Sequence, residues 1–236
     1  MPIIKSLSIH LVNLIGCILL IFSTNSFSED SVEKSKKTNN DEKLIVNITE
    51  DLPFLDVNHN GKTIRIQRVQ DIHYKLTNSF AKTSRQCPPF CLHPIKLKLP
   101  GNIKTVGELE VLAFLKGKVP NNKGLLIDAR LTDWYEKGTI PSATSVPFTL
   151  FTGGVDDDSA ADLLTLLGVK ENEEDDDERL FHNAIDLMFF GNGAWSGQAP
   201  KAIQHLLQMG YPAQKITWYR GGMQTWLLFG LTTVKP

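Results

Sequence analysis

The sequence predicts an α/β fold, a largely parallel sheet flanked by helices, and three observations carry that expectation. Apolar runs of strand length recur as "GLLIDAR" (124–130), "IDLMFF" (185–190) and "KITWYR" (215–220). Strands covered on both faces read as such continuous runs rather than as alternating ones. Between them stand "ADLLTLLG" (161–168) and "PKAIQHLLQMG" (200–210), stretches of helical period that each close on a glycine, the residue that most often terminates a helix. Strands alternating with amphipathic helices indicate βαβ units. The sheet should hold strands near 124–129, 185–190 and 215–219, with helices on both faces.

In chain order, Lys5 precedes an apolar run from Leu11 to Phe22, and the polar stretch "STNSFSED" follows. That layout is a secretory signal, residues 1–28, with cleavage expected after Ser28. The run is too short to cross a hydrocarbon core of roughly 30 Å, so no stable membrane span is expected once the signal is cleaved. "LIGC" places Cys17 after a small residue, so a lipid anchor through Cys17 is the alternative. Residues 29–43, charged and aperiodic, read as a flexible linker.

Residues 44–100 form a small extension. In it Asn60-Gly61 separates two short apolar-containing runs, a strong signal for a two-residue β-hairpin turn. The same stretch opens like a calcium loop, Asp56-x-Asn58-x-Asn60-Gly61. Gln67 stands where the bidentate glutamate is needed, so the hairpin is the expectation. Beyond the extension, Thr105 and Glu108 suggest a capping box, with Val106, Leu109, Leu112 and Leu115 at helical spacing. The acidic run "ENEEDDDER" (171–179) reads as a solvated surface loop.

Composition narrows the function classes. A net charge of -1 argues against nucleic acid as a partner, since binding it normally needs a basic stripe. With the signal removed, Cys87 and Cys91 are the remaining cysteines, and in an oxidising compartment two cysteines are usually a pair. No cofactor and no resident metal are expected.

The stretch that bears on function is "IDLMFFGNGAWSGQAP" (185–200): a strand, a glycine-rich loop, then a helix with Pro200 in its first turn. Upstream stands "LLIDARLTDWYEKGTIPSATSVPF", a strand ending in an acid and followed by a Gly-x-Ile-Pro-x-Ala turn. Downstream stands "YPAQKITWYRGGMQTWLLFGL", with Gly-Gly-x-x-x-Trp. Together these resemble the signatures of the rhodanese-like domain family over residues 101–236. The resemblance implies a compact α/β domain that moves sulfane sulfur through a cysteine persulfide, the cysteine beginning the loop after the central strand. Carried onto this chain, that position falls on Gly191, and shifting by one residue gives Phe190 or Asn192.

A persulfide needs a polarizable thiolate. Glycine offers no side chain, and Ser196, the loop's one hydroxyl, has no identifiable base. The loop therefore reads as catalytically empty. Its backbone amides at a helix N-terminus still make an anion cradle, so Gly191, Asn192, Gly193, Ala194, Trp195 and Ser196 could hold a small oxyanion or a partner's carboxylate. Arg130 and Arg220, near strand ends, could face that anion or stand at the surface. Asp128 is expected to hold its neighbouring turn. Trp134, Trp218 and Trp226 are expected to pack, and Trp195 to line a pocket rim.

Three readings of "CPPFC" stay open: a structural disulfide, a redox-active pair, or a metal site with His93 as a third ligand. The sequence thus leaves three functions. The first is an exported rhodanese-like accessory module without its own sulfurtransferase activity, binding a small anion or a protein partner. The second is a thiol-redox protein working through Cys87 and Cys91. The third is a sulfurtransferase using one of those cysteines, which requires the segment to fold back over loop 191–196.

Overall fold

The first ordered element follows directly from turn chemistry. In the computed structural model, which describes residues 45–87, 90–151, 158–172 and 175–236, β1 (Phe54–His59) and β2 (Lys62–Gln67) pair antiparallel. The signal segment, the linker, Cys17, Pro88 and Pro89 lie outside the described residues. Asn60 and Gly61 adopt φ of 50° and 79°, the left-handed pair that a two-residue hairpin turn requires. A hairpin stands where a calcium loop was the alternative. Leu55, Val57 and His59 alternate inward along β1, while Asp56 pairs with Arg65 directly across the ladder at 2.9 Å.

The main sheet is built from β3 (Lys104–Val106), β4 (Gly124–Asp128), β5 (Ala143–Ser145), β8 (Asp186–Phe190) and β9 (Ile216–Tyr219). All five strands run parallel, in the order β3-β9-β8-β4-β5, which places β8 in the middle. The helices that connect them are α1 (Glu108–Gly117), α2 (Thr132–Tyr135), α3 (Asp158–Leu166), α4 (Gln198–Gln208) and α5 (Gly222–Leu228).

Successive residues of a strand point to opposite faces, and both faces here are covered. Ile127, Leu187, Phe189, Ile216 and Trp218 pack with Leu163 and Leu164 of α3 and with Ala199, Ala202, Ile203 and Leu206 of α4. Leu126, Met188, Phe190 and Tyr219 pack with Val111, Leu112 and Leu115 of α1 and with Met223 and Trp226 of α5. The hairpin contributes Leu55, Val57 and Ile66 to that second layer, so the extension and the sheet share one core. Gly168 and Gly210, at φ of 83° and 92°, follow α3 and α4 as their stop residues.

Two local expectations are corrected. The cap of α1 is Gly107, whose N–H donates to the Glu110 carboxylate at 3.0 Å; Thr105 instead lies in β3, paired with β9. Strand pairing takes the residues that would have formed the earlier cap. As a result Val111, Leu112 and Leu115 face the sheet, and Leu109 is left 52% exposed. The described part of the acidic run is paired rather than looped: β6 (Lys170–Asn172) and β7 (Asp175–Leu180) form an antiparallel ladder with a bulge between Glu171 and Asn172, and residues 173–174 lie outside the described residues.

Candidate functional site

Loop 191–196 leaves the carboxyl end of β8, at the middle of the parallel sheet. Ligands of open α/β folds bind at this edge. The loop is clamped by the first turn of α5. Met223 N–H donates to the Gly191 carbonyl at 3.0 Å and Gln224 N–H to the Asn192 carbonyl at 2.9 Å. Gly222 makes this approach possible: its φ is +55°, and a Cβ there would stand 2.3 Å from the Gly191 carbonyl oxygen and 2.8 Å from Gly193 N.

Inside the loop the polar side chains are tied to two glutamines. Gln198 accepts from Asn192 Nδ2 at 3.2 Å and from Ser196 Oγ at 3.1 Å, and Gln224 accepts from the Trp195 indole N–H. Ser196 N–H closes a turn onto the Gly193 carbonyl at 2.9 Å. Asn192 and Ser196 are buried, and Asn192 Oδ1 has no partner among the described residues. Trp195 is 8% exposed, which corrects the expectation of a pocket-rim aromatic.

What buries Trp195 is the extension. Phe90 meets its ring edge-on, with centroids 5.1 Å apart. The Arg85 guanidinium lies 4.0 Å over the Trp195 ring and 5.4 Å from Phe90. The attraction is that of a cation for the negative face of a ring. The Arg85 Nη2 group also donates to the Ser79 carbonyl. Downstream, His93 N–H donates to the Ala194 carbonyl at 2.9 Å. Arg85, Phe90 and His93 therefore lie against the loop, as a role for the neighbouring cysteines in its chemistry would require.

Cys87 and Cys91 form a disulfide, with Cα atoms 4.9 Å apart, and both residues are exposed. As bridged sulfurs they are not free metal ligands. Among the described residues no group of three or more His, Cys, Asp or Glu is placed to hold a metal ion. Burial, reinforced by the neighbouring Arg220 charge, pulls the His93 imidazole below its ordinary value.

Both arginines are engaged by groups of the protein. Arg220 directs Nε and Nη2 to the His93 carbonyl at 3.1 and 2.7 Å and so anchors the covering segment. Arg130 is buried rather than at the surface. It makes a two-point pair with Asp128, Nε to Oδ1 at 2.8 Å and Nη2 to Oδ2 at 2.6 Å, and reaches the Gly138 carbonyl at 2.7 Å. Thr139 donates its hydroxyl to the same Asp128 oxygen at 2.8 Å. Asp128 thus holds the 128–139 turn. Trp218 and Trp226 are core residues, while Trp134 is half-buried and lines a cleft of about 770 Å³ with Tyr74, Phe80 and Met223.

Sequence reasoning missed Arg85, Phe90, Gln198 and Gln224. Phe90, an aromatic set between the two cysteines, was the available signal for the first two. The glutamines sit on helices whose partners are set only by the fold. Among the described residues no helix is long and apolar enough to cross a membrane.

No curated protein sequence matches the chain. Among solved structures, a single-domain sulfurtransferase from Saccharomyces cerevisiae is 19% identical, covering 56% of this chain and 94% of its own, at a TM-score of 0.39. A human single-domain sulfurtransferase is 22% identical, covering 54% and 97%, at 0.36. A Bacillus halodurans protein is 17% identical, covering 53% and 72%, at 0.35. The model of the rhodanese-like domain family matches residues 112–228, a span that runs from α1 through α5 and contains the loop. Over residues 112–228 the chain is therefore similar to rhodanese-like domains.

Proposed function

We propose that this is an exported rhodanese-like protein with no sulfurtransferase nucleophile of its own, serving as an accessory module. Its loop 191–196 would bind a small anion or a partner protein's carboxylate. The observation that carries the reading is the make-up of the loop. By the sequence resemblance Gly191 falls where the family begins its loop with cysteine, and Ser196 gives its hydroxyl to Gln198 rather than to a base. The backbone frame remains. Gly191 has no positive φ, and a Cβ on it would lie 3.1 Å from Ser196 Oγ and 3.7 Å from the Ala199 amide nitrogen near the start of α4. A thiol placed there would be favoured as thiolate by the helix terminus.

The test is thiosulfate:cyanide sulfur transfer. Wild type should not exceed the reagent blank. Gly191→Cys should show a measurable rate, and its thiol should alkylate at neutral pH faster than free cysteine. An inert variant with an ordinary thiol pKa means that the cradle is gone and the loop is only a connection. The export component rests on the layout of residues 1–28, with 29–43 as linker, 44–100 as extension and 101–236 as the domain. N-terminal sequencing of exported protein should find Glu29 first; a lipidated Cys17 would replace that assignment.

One observation favours a second reading, a thiol-redox or sulfur-transfer protein working through Cys87 and Cys91: Phe90, between the cysteines, rests on Trp195 of the loop. Wild-type sulfur transfer that vanishes on Cys87→Ser or Cys91→Ser would establish it and overturn the first.

A further inference from the structure

We propose that the cleft beside Trp134 is a binding site for a small aromatic carboxylate, separate from loop 191–196. Its volume is about 770 Å³, within the range of roughly 300–1,000 Å³ typical of small-molecule sites. Its floor comes from two segments that leave carboxyl ends of the sheet. Arg130 and Trp134 follow β4, and Met223 stands in the first turn of α5, after β9. Ligands of open α/β folds bind at this edge. Among the described residues, none of loop 191–196 lines the cleft.

Two of its walls lie outside residues 112–228, the span that matches the family model. Residues 74–80 of the extension form one, and Thr233 with Lys235 of the tail forms the other. Both are pinned to the rest of the chain. The Ser79 carbonyl accepts from Arg85, and Phe80 meets Trp134 edge-on with centroids 5.9 Å apart. Thr139 and Val234 exchange both of their backbone hydrogen bonds, at 2.8 and 3.0 Å, which fixes the tail immediately before Lys235. The extension and the tail thus enclose a space that the matched span by itself leaves open.

The lining sets the ligand class. Tyr74 is 42% exposed, and Phe80 and Trp134 are half-buried, so all three keep ring surface for a ligand. A flat aromatic ligand gains offset or edge-on ring contacts beyond the area it buries. Charge then selects the sign. Lys137 and Lys235 line the cleft against Glu136 alone, and Arg130 is already neutralised by its two-point pair with Asp128. Three rings would also attract a quaternary ammonium, but the Lys137 ammonium already lies 5.3 Å over the Trp134 ring. A second cation is repelled there, whereas a carboxylate finds an ion-pair partner.

Isothermal titration calorimetry on the full mature chain tests this with three probes of one ring system: naphthoate, neutral naphthalenemethanol and cationic naphthylmethylammonium. Naphthoate should bind with a Kd of about 1 mM or tighter. It should bind about fivefold better than the alcohol, and the ammonium should bind least. Tyr74→Ala and Trp134→Ala should each weaken naphthoate by about fivefold to tenfold. Lys137→Gln/Lys235→Gln should remove its advantage over the alcohol. Tyr74 is at the surface, so its variant decides the matter if Trp134→Ala does not fold. Any of three results overturns the proposal: no naphthoate binding at millimolar concentration, binding of the alcohol or the ammonium as tight as that of naphthoate, or wild-type affinity in the folded ring variants. Thiosulfate at matched ionic strength should leave naphthoate binding unchanged. Displacement by thiosulfate would assign the probe to loop 191–196 and overturn the separate site.

Discussion

Asp128 shows how much a single carboxylate can organise. It receives the Arg130 backbone N–H, two guanidinium donors and the Thr139 hydroxyl, and both it and Arg130 are fully buried. Burying the pair already carries a desolvation cost, and removing one partner strands the other charge uncompensated. Asp128→Ala should lower unfolding free energy by about 3–5 kcal/mol in urea denaturation; a loss below about 1 kcal/mol would mean that water reaches Arg130. Gly222→Ala is the second residue test. The added Cβ would meet backbone of the loop at 2.3 Å, and φ is +55°, so neither collision nor strain can be relieved by a rotamer change. A loss of roughly 2 kcal/mol or more is expected, with altered exchange at 191–196. That Asp128 ends a strand and holds its turn was readable in the sequence. That Arg130 is its partner was not, because two residues at a strand end carry no periodic signal of where either side chain turns.

Elements differ in how local their causes are. The hairpin is local: the Asn60-Gly61 turn, the Asn58 Oδ1 acceptor 3.1 Å from Gly61 N and the alternation along β1 are all set by neighbours in the chain. Gly61 has open space around a would-be Cβ, so Gly61→Ala reports backbone strain alone and should cost about 1 kcal/mol. A neutral result in thermal denaturation would mean that the turn relaxes to another type. The start of α1 is less local. A capping box was legible, but β3 pairing with β9 moved it to Gly107 and Glu110. The covering segment 85–93 is not local at all. Arg85 and Phe90 find Trp195 more than a hundred positions away.

At the scale of the whole molecule, histidines link the extension to the domain and make stability depend on pH. His59 accepts the Ser142 N–H at Nδ1, 3.1 Å away, and burial lowers its pKa; His93 is lowered by burial and by Arg220. With folded values below the ordinary one near 6.5, the unfolded chain binds protons first as pH falls. Stability is therefore whole above about 6.5 and declines below it. Tm should drop between pH 7.5 and 5.5, and His59→Gln, which keeps an acceptor for Ser142, should flatten part of that slope. An unchanged slope would assign the pH response elsewhere. The sequence by itself determined the α/β class, the buried strands, the hairpin turn and a loop without a thiol, because composition, hydrophobic period and turn chemistry act over a few residues. Only the tertiary structure decided that Arg85 and Phe90 cover Trp195, that Arg130 pairs with Asp128 and that Arg220 holds the His93 carbonyl. Those outcomes depend on which distant segments share one sheet edge, and packing across the fold, not spacing along the chain, sets that.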